Sequence, residues 1–287
     1  MKHKIKHGFM VGSVVLLLLM SGVLVWFRVP YSPLKKTFNH DVELVKQTQA
    51  KAQGVLSHQD IAHLPDALQR YLAHCGYLGQ PKMSWLTIRY EDVAFIQHQN
   101  EPALRIDYTQ INTASTSTRL AFIDSSLYGV PFEGYDYYLD GEGGMKGMLG
   151  KVVTLFDKRG VAMDQAALVT YLAESLFIPS ALLNENIIFD EVDEHTVRVS
   201  ITAYGQQASG TFLFNDDDEM ICFTTKDRSM TEEDGTMTNT PWSARCGDYQ
   251  LSSNGFLQPT TFSATWHLPK GEFTYFDGKV KSMTYDT

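Results

Sequence analysis

From residue 84 onward the apolar residues of this 287-residue chain recur with a period of two, and that alternation limits the fold more than any other feature. Val197, Val199, Ile201 and Ala203 alternate with Thr196, Arg198, Ser200 and Thr202; Phe262, Ala264, Trp266 and Leu268 alternate with Thr261, Ser263, Thr265 and His267. Successive side chains of a strand point to opposite faces, so such runs read as half-buried strands. The pattern predicts strands over 84–90, 92–98, 103–111, 117–124, 134–140 and 144–156. A second series covers 186–192, 195–203, 209–215, 219–226, 241–250, 259–267, 272–276 and 279–285. Strands at roughly 8–12-residue spacing predict an antiparallel sheet that curls or closes into a barrel-like shape. Asp277-Gly278, between two such runs, reads as a two-residue hairpin turn.

One helix, 164–178, interrupts the series. Asp164 can cap it, Leu168, Tyr171, Leu172 and Leu176 form its main stripe, and Ala173, Phe177 and Ile178 make the other faces apolar before Pro179. A helix apolar on most sides is buried, so this one is expected to lie across or inside the curved sheet. The predicted class is mainly β with helices (α+β): a curved antiparallel sheet or open barrel wrapped around or covered by a central helix, preceded by an N-terminal transmembrane helix. Upstream, 65–75 reads as a helix with Pro65 at its first position and Gly76 as its stop. Cys75 lies on the apolar stripe of that helix, as a buried thiol. Residues 40–53 are helix-prone with a thin apolar stripe, a surface helix. Residues 30–38, with Pro30 and Pro33, read as an extended stalk.

Lys2, Lys4 and Lys6 precede an uncharged run from Phe9 to Phe27 that is closed by Arg28. A helix of that length nearly spans a hydrocarbon core of about 30 Å. A cleavable signal has a shorter apolar region, about 7–15 residues, ending in a small-residue site; Val25-Trp26-Phe27-Arg28 offers none. An uncleaved signal anchor is the reading, with Trp26 and Phe27 at the headgroup boundary. The short N-terminal tail carries its charges together and long C-terminal domains translocate largely regardless of charge, so the domain is expected on the periplasmic or extracellular side. Residues 1–29 are thus read as the anchor, 30–63 as stalk and surface helix, and 64–287 as one β-rich domain in the cell envelope. After residue 29 the chain has 20 Lys plus Arg against 33 Asp plus Glu, a net charge of −13. That charge argues against nucleic-acid partners and peripheral docking on anionic lipid.

Known chemistry is hard to find. DGEGGMKGM (residues 140–148) fits neither a dinucleotide fingerprint nor a P-loop and is read as a hairpin turn at Asp140-Gly141. HExxH, CxxC and G-x-S-x-G do not occur, so no metal, cofactor or catalytic residue is assigned. Asp216-Asp217-Asp218-Glu219 lacks the remainder of a calcium loop and is read as a solvated hairpin tip. Cys222 and Cys246 fall in consecutive predicted strands and are candidates for one disulfide, if the register brings their Cα atoms within about 7 Å. Two acids stand out: Glu174 in the apolar helix, and Asp248 on the strand face that carries Trp242, Ala244 and Cys246. Each needs a partner, such as an Arg or Tyr, or a functional role.

The stretches LPDALQRYLAHCGYLG, GYDYYLDGEGGMKGMLGKV, ALVTYLAESLFIPSALL, TPWSARCGDY and TWHLPKGEFTYFDGKV together resemble a bacterial family of unknown function whose members often carry an N-terminal membrane segment. The resemblance covers most of residues 64–286, departs where Cys246 replaces a commonly aromatic residue, and carries over no activity. The layout is also loosely similar to the lipoprotein-carrier (LolA-like) fold, a curved open barrel with helices over its cavity, which implies binding of lipid or acyl chains. Three functions follow as expectations. The first is an apolar-ligand module with its site between sheet and helix, formed from Trp85, Tyr171, Glu174, Trp242, Asp248, Phe262, Trp266 and Tyr275. The second is an envelope interaction module in which the same aromatic residues fill a core. The third, disfavoured, is an enzyme. The expected partners are the bilayer, through residues 9–27, and an apolar small molecule or lipid.

Overall fold

The computed structural model describes residues 2–99, 101–231 and 236–286. Helix α1 (Lys2–Arg28) is long and apolar enough to cross a membrane. It is followed by α2 (Pro33–Thr48), the single turn α3 (His58–Ile61) and α4 (Asp66–His74). Six strands come next: β1 (Trp85–Phe95), β2 (Leu104–Thr113), β3 (Arg119–Leu127), β4 (Val130–Leu139), β5 (Glu142–Leu149) and β6 (Val153–Arg159). Helix α5 (Val161–Glu174) and two 3-10 turns separate them from β7 (Ile187–Asp193), β8 (Thr196–Ala203), β9 (Gln206–Phe214) and β10 (Met220–Thr225). The small hairpin β11 (Ser229–Thr231) and β12 (Met237–Asn239) stands apart, before β13 (Trp242–Leu251), β14 (Leu257–Leu268) and β15 (Gly271–Asp286).

Thirteen strands form one antiparallel sheet in the order β6-β5-β4-β3-β2-β1-β15-β14-β13-β10-β9-β8-β7. A twisted open sheet of more than about ten strands curls, and this one curls around α5, as the alternation and the apolar helix predict. The helix touches β4, β5 and β6 from one arm of the sheet and β8 and β9 from the other. The arms meet beyond it: Gln206 Nε2 donates to the Gly141 carbonyl at 3.0 Å, and the Tyr138 and Tyr204 rings lie 6.3 Å apart. Leu168, Leu172 and Leu176 are wholly buried.

Helix α5 starts earlier than expected, at Val161 after Gly160. Asp164 does not cap it; its carboxylate accepts from the Gly143 N–H at 2.7 Å and docks the first helical turn on β5. Gly143 permits that approach, because a Cβ there would lie 2.5 Å from the Met163 carbonyl oxygen. The glycine run therefore supplies both the expected turn, with Asp140 and Gly141 at positive φ, and a seat for the helix.

The expected hairpin at Asp277-Gly278 does not exist. Strand β15 runs straight through it, Gly278 pairs with Phe262, and the turn lies instead between Leu268 and Gly271. Gly278 serves close packing, since a Cβ there would sit 2.6 Å from the Val93 side chain. Likewise 84–90 and 92–98 are one strand, β1, with a register shift near Asp92, whose φ is 53°.

Residues 30–38, expected as a stalk, are helical from Pro33. Pro33 occupies the first turn, where a missing N–H costs nothing, and Ser32 Oγ accepts from Lys35 N at 3.0 Å. Leu34, Phe38, Val42 and Val45 then form one stripe that packs on Ile111, Leu120, Phe122 and Tyr135, on the outer face of the sheet. The end of α1 is tied to the β5–β6 turn: Trp26 Nε1 donates to the Gly150 carbonyl at 3.0 Å, and Lys151 Nζ to the Phe27 carbonyl at 3.1 Å.

Candidate functional site

Between α5 and the concave face of the sheet lies a cavity of about 190 Å3. Tyr90, Phe95 and Ile106 from β1 and β2, Trp242 and Ala244 from β13, Phe262 from β14, and Tyr275 and Phe276 from β15 line one side. Met163, Thr170, Ala173, Glu174 and Phe177 line the other. The aromatic rings interlock edge to face, with Phe177 5.1 Å from Phe262 and Tyr90 5.7 Å from Phe262. Trp242 Nε1 donates to the Tyr275 hydroxyl at 3.1 Å, so the polar edges of these rings are turned toward each other.

One wall of the cavity is polar. Arg119, buried on β3, donates from Nε to Glu174 Oε2 at 3.0 Å and from Nη1 to Asp136 Oδ2 at 2.7 Å; its Nη2 faces the Tyr108 hydroxyl. Glu174 Oε2 also accepts from Gln110 Nε2 at 2.7 Å and Asn112 Nδ2 at 2.8 Å. Burial by itself would lower the affinity of Arg119 for its proton, but Glu174, Tyr108 and Asp136 raise it well above the ordinary value, so the guanidinium stays charged. Burial pushes the Tyr108 and Tyr90 phenols up, so both stay neutral. These groups bind one another, with one carboxylate charge in excess, and join α5 to β2, β3 and β4. They form a brace, with no activated nucleophile in it.

A second polar group behaves differently. The guanidinium of Arg228 stacks on Trp242, 4.4 Å from the ring centroid, and on Trp266 at 5.4 Å. Its Nε and Nη1 are buried and have no hydrogen-bond partner among the described residues.

The chain belongs to the DUF6544 family of unknown function. The family profile matches residues 54–278, beginning after α2 and including every strand of the curved sheet up to the middle of β15. Among solved structures, the chain is similar to an outer membrane lipoprotein-sorting protein domain from Vibrio parahaemolyticus, at 9% identity and a TM-score of 0.41 over 77% of this chain and 92% of that one. It is also similar to a LolA superfamily protein from Nitrosomonas europaea, at 10% identity and a TM-score of 0.40 over 77% and 94%. A third is a DUF1329 family protein from Desulfovibrio piger, at 10% identity and a TM-score of 0.38 over 77% and 91%. Comparison with curated proteins finds no match.

Of the residues singled out from the sequence of this DUF6544 member, Glu174, Trp242, Phe262 and Tyr275 meet at the cavity. Trp266 stands one layer behind, stacked on Tyr275 at 6.0 Å. Three others lie elsewhere. Tyr171 is wholly buried, with its hydroxyl donating to the Thr113 carbonyl at 2.8 Å. Trp85 is on the outer face beneath Lys46, because Leu86, Ile88 and Tyr90 take the inward positions of β1. Asp248 is exposed: its φ of 53° breaks the alternation of β13, and Tyr249 comes to lie beside Cys246 instead, with its hydroxyl 2.8 Å from the Met220 carbonyl. The candidate disulfide is not formed, and Cys75, Cys222 and Cys246 are all free. Cys222 pairs in register with Arg245, so Cys246, one residue on, points to the opposite face of the sheet.

Arg119, Asp136, Gln110, Asn112 and Arg228 were not singled out. In β2 a faint sign was present, since Tyr108, Gln110 and Asn112 follow Ile106 on one face. Polar residues in strict alternation nevertheless read as a solvent face when nothing shows which side is covered.

Proposed function

We propose that this protein is a membrane-anchored module that holds an apolar, lipid-like ligand between α5 and the sheet, with its folded domain outside the cytoplasm. The observation that carries the reading is the aromatic cavity. A gap of about 190 Å3 persists where side chains normally fill a core to crystal density. Its size bounds the occupant. An apolar cavity of about 150 Å3 admits benzene, whereas sites for drug-sized ligands occupy about 300–1,000 Å3. A segment of a single acyl chain fits that range better than a whole phospholipid. The apolar run within α1 supports the anchor, and its attachment to the β5–β6 turn would keep the cavity near the bilayer that supplies the ligand.

Native mass spectrometry of the full chain, released gently from detergent, tests the ligand. The expected result is a population heavier than the chain by the mass of one lipid or fatty acyl compound. A bare mass under every release condition favours the other reading, an envelope interaction module with a filled core. Alkaline phosphatase and a cytoplasm-only reporter fused to the C-terminus test topology: activity from the cytoplasmic reporter alone, or a mature chain starting after Trp26, overturns the anchored, outward placement.

A further inference from the structure

The polar groups around the cavity are not equivalent, and the difference assigns the ligand a charge. Arg119 is saturated: two carboxylates, a phenol and an amide surround it, and with Glu174 and Asp136 it leaves an excess of one negative charge on that wall. Arg228 carries the opposite imbalance. Trp242 and Trp266 take up the flat face of its guanidinium, but stacking leaves the N–H donors in the ring plane unused. Nε and Nη1 are buried without a partner among the described residues, although buried charged donors are otherwise found paired. The adjacent acid is committed elsewhere: the Asp227 carboxylate accepts from Ser209 N at 2.8 Å and from Ser209 Oγ.

We infer that Arg228 is an anion-binding group of this cavity and that its ligand is a single-chain amphiphile with a compact oxyanion head, a carboxylate or a phosphate monoester. The inference rests on the reading of the cavity as a ligand site. The apolar chain lies among Tyr90, Phe262 and Phe276, and the head turns toward Arg228, away from the negative wall at Glu174 and Asp136. An oxyanion accepts from the in-plane donors while the indoles hold the guanidinium flat, the arrangement in which charge-assisted hydrogen bonds are strongest. In a domain of net charge −13 Arg228, with the exposed Arg245 also on the lining, offsets the field that an anionic ligand meets on entry.

The test uses the full chain in phosphatidylcholine nanodiscs and three photoreactive probes of equal chain length: a diazirine fatty acid, the matching alkyl phosphate and the matching alcohol. Labelled peptides are mapped by mass spectrometry. Cavity peptides should be labelled by the acid or the phosphate at least about tenfold more than by the alcohol, the scale of a charge-assisted hydrogen bond. Whichever anionic probe labels more strongly identifies the head. Arg228→Gln should abolish the preference, and Arg228→Lys should retain part of it. Equal labelling of the unaltered protein by all three probes overturns the anion assignment and leaves the apolar cavity standing, whatever the variants do. A preference that survives Arg228→Gln overturns the role of Arg228. Labelling of cavity peptides by none of the probes sinks the ligand-site reading itself.

Discussion

Replacing Arg119 by Met removes the one cation shared by Glu174 and Asp136 while keeping a flexible apolar stem of similar length. The Arg119 side chain is 4% exposed and its partners are 17% and 26% exposed, so water can recover little of what is lost. Removing one member of a buried ion pair typically costs about 3–5 kcal/mol, because the remaining charge is stranded. For a domain of 150–250 residues each kcal/mol moves the midpoint by about 2–4 °C, so Arg119→Met should lower Tm by about 6–20 °C. Thermal unfolding of the full chain in detergent, followed by tryptophan fluorescence, measures this. Adding Glu174→Gln and Asp136→Asn to Arg119→Met removes the stranded charges and should recover at least half of the loss, since uncharged replacement of a whole buried cluster is often close to neutral. A single variant within about 2 °C of the parent would show that the cluster is screened and braces nothing. A triple variant no better than the single one would place the loss in packing of the arginine stem.

Leu172→Ala should destabilise by about 2–5 kcal/mol, because Leu172 is wholly buried in α5, whereas Gln165→Ala on the same helix should change Tm little; equal midpoints would make the helix peripheral. Gly143→Ala forces a Cβ to within 2.5 Å of the Met163 carbonyl oxygen and should cost about 1–3 kcal/mol, so a neutral outcome in the same melt would contradict the docking of α5 on β5. Burial pushes the Glu133 carboxyl above its ordinary 4.5, the Ser32 hydroxyl opposes the shift, Asp124 adds to it, and Lys151 and Lys35 oppose it. The folded state therefore holds that proton more tightly, and the stability it contributes is full below 4.5 and lost as pH rises through the raised folded value. Glu133→Gln should accordingly raise Tm near neutral pH and not below 4.5, and a gain independent of pH would refute this. Thiol titration of the denatured, unreduced chain should count three free thiols, and a count of one would restore the Cys222–Cys246 bridge.

Local pattern was enough for much of this molecule. Period-two alternation marked most of the strands, since a residue on a pleated strand faces the core or its opposite by parity alone. Apolarity on most sides of residues 164–178 marked the helix at the centre, and the length of the run from Phe9 to Phe27 marked α1. Parity fails, however, wherever the backbone departs from the pleat. Asp248 at positive φ resets the phase of β13, which brings Tyr249 onto the face expected for Asp248 and leaves Asp248 exposed. Glycine was ambiguous for a related reason. Gly129 turns the chain with open space around it, Gly143 and Gly278 sit in regular strands where another element leaves no room for a Cβ, and Gly141 does both, at positive φ against the Tyr204 side chain; only the packed structure separates these uses. The polar wall was the least legible part. Gln110, Asn112, Arg119 and Asp136 come from β2, β3 and β4, and each looks unremarkable among its sequence neighbours; only Glu174 of α5 stood out, by its apolar surroundings. Their meaning depends on the curvature that brings both arms of the sheet onto one helix. That curvature is a sum of small twists over thirteen strands, a property of the whole sheet that no single stretch of sequence carries.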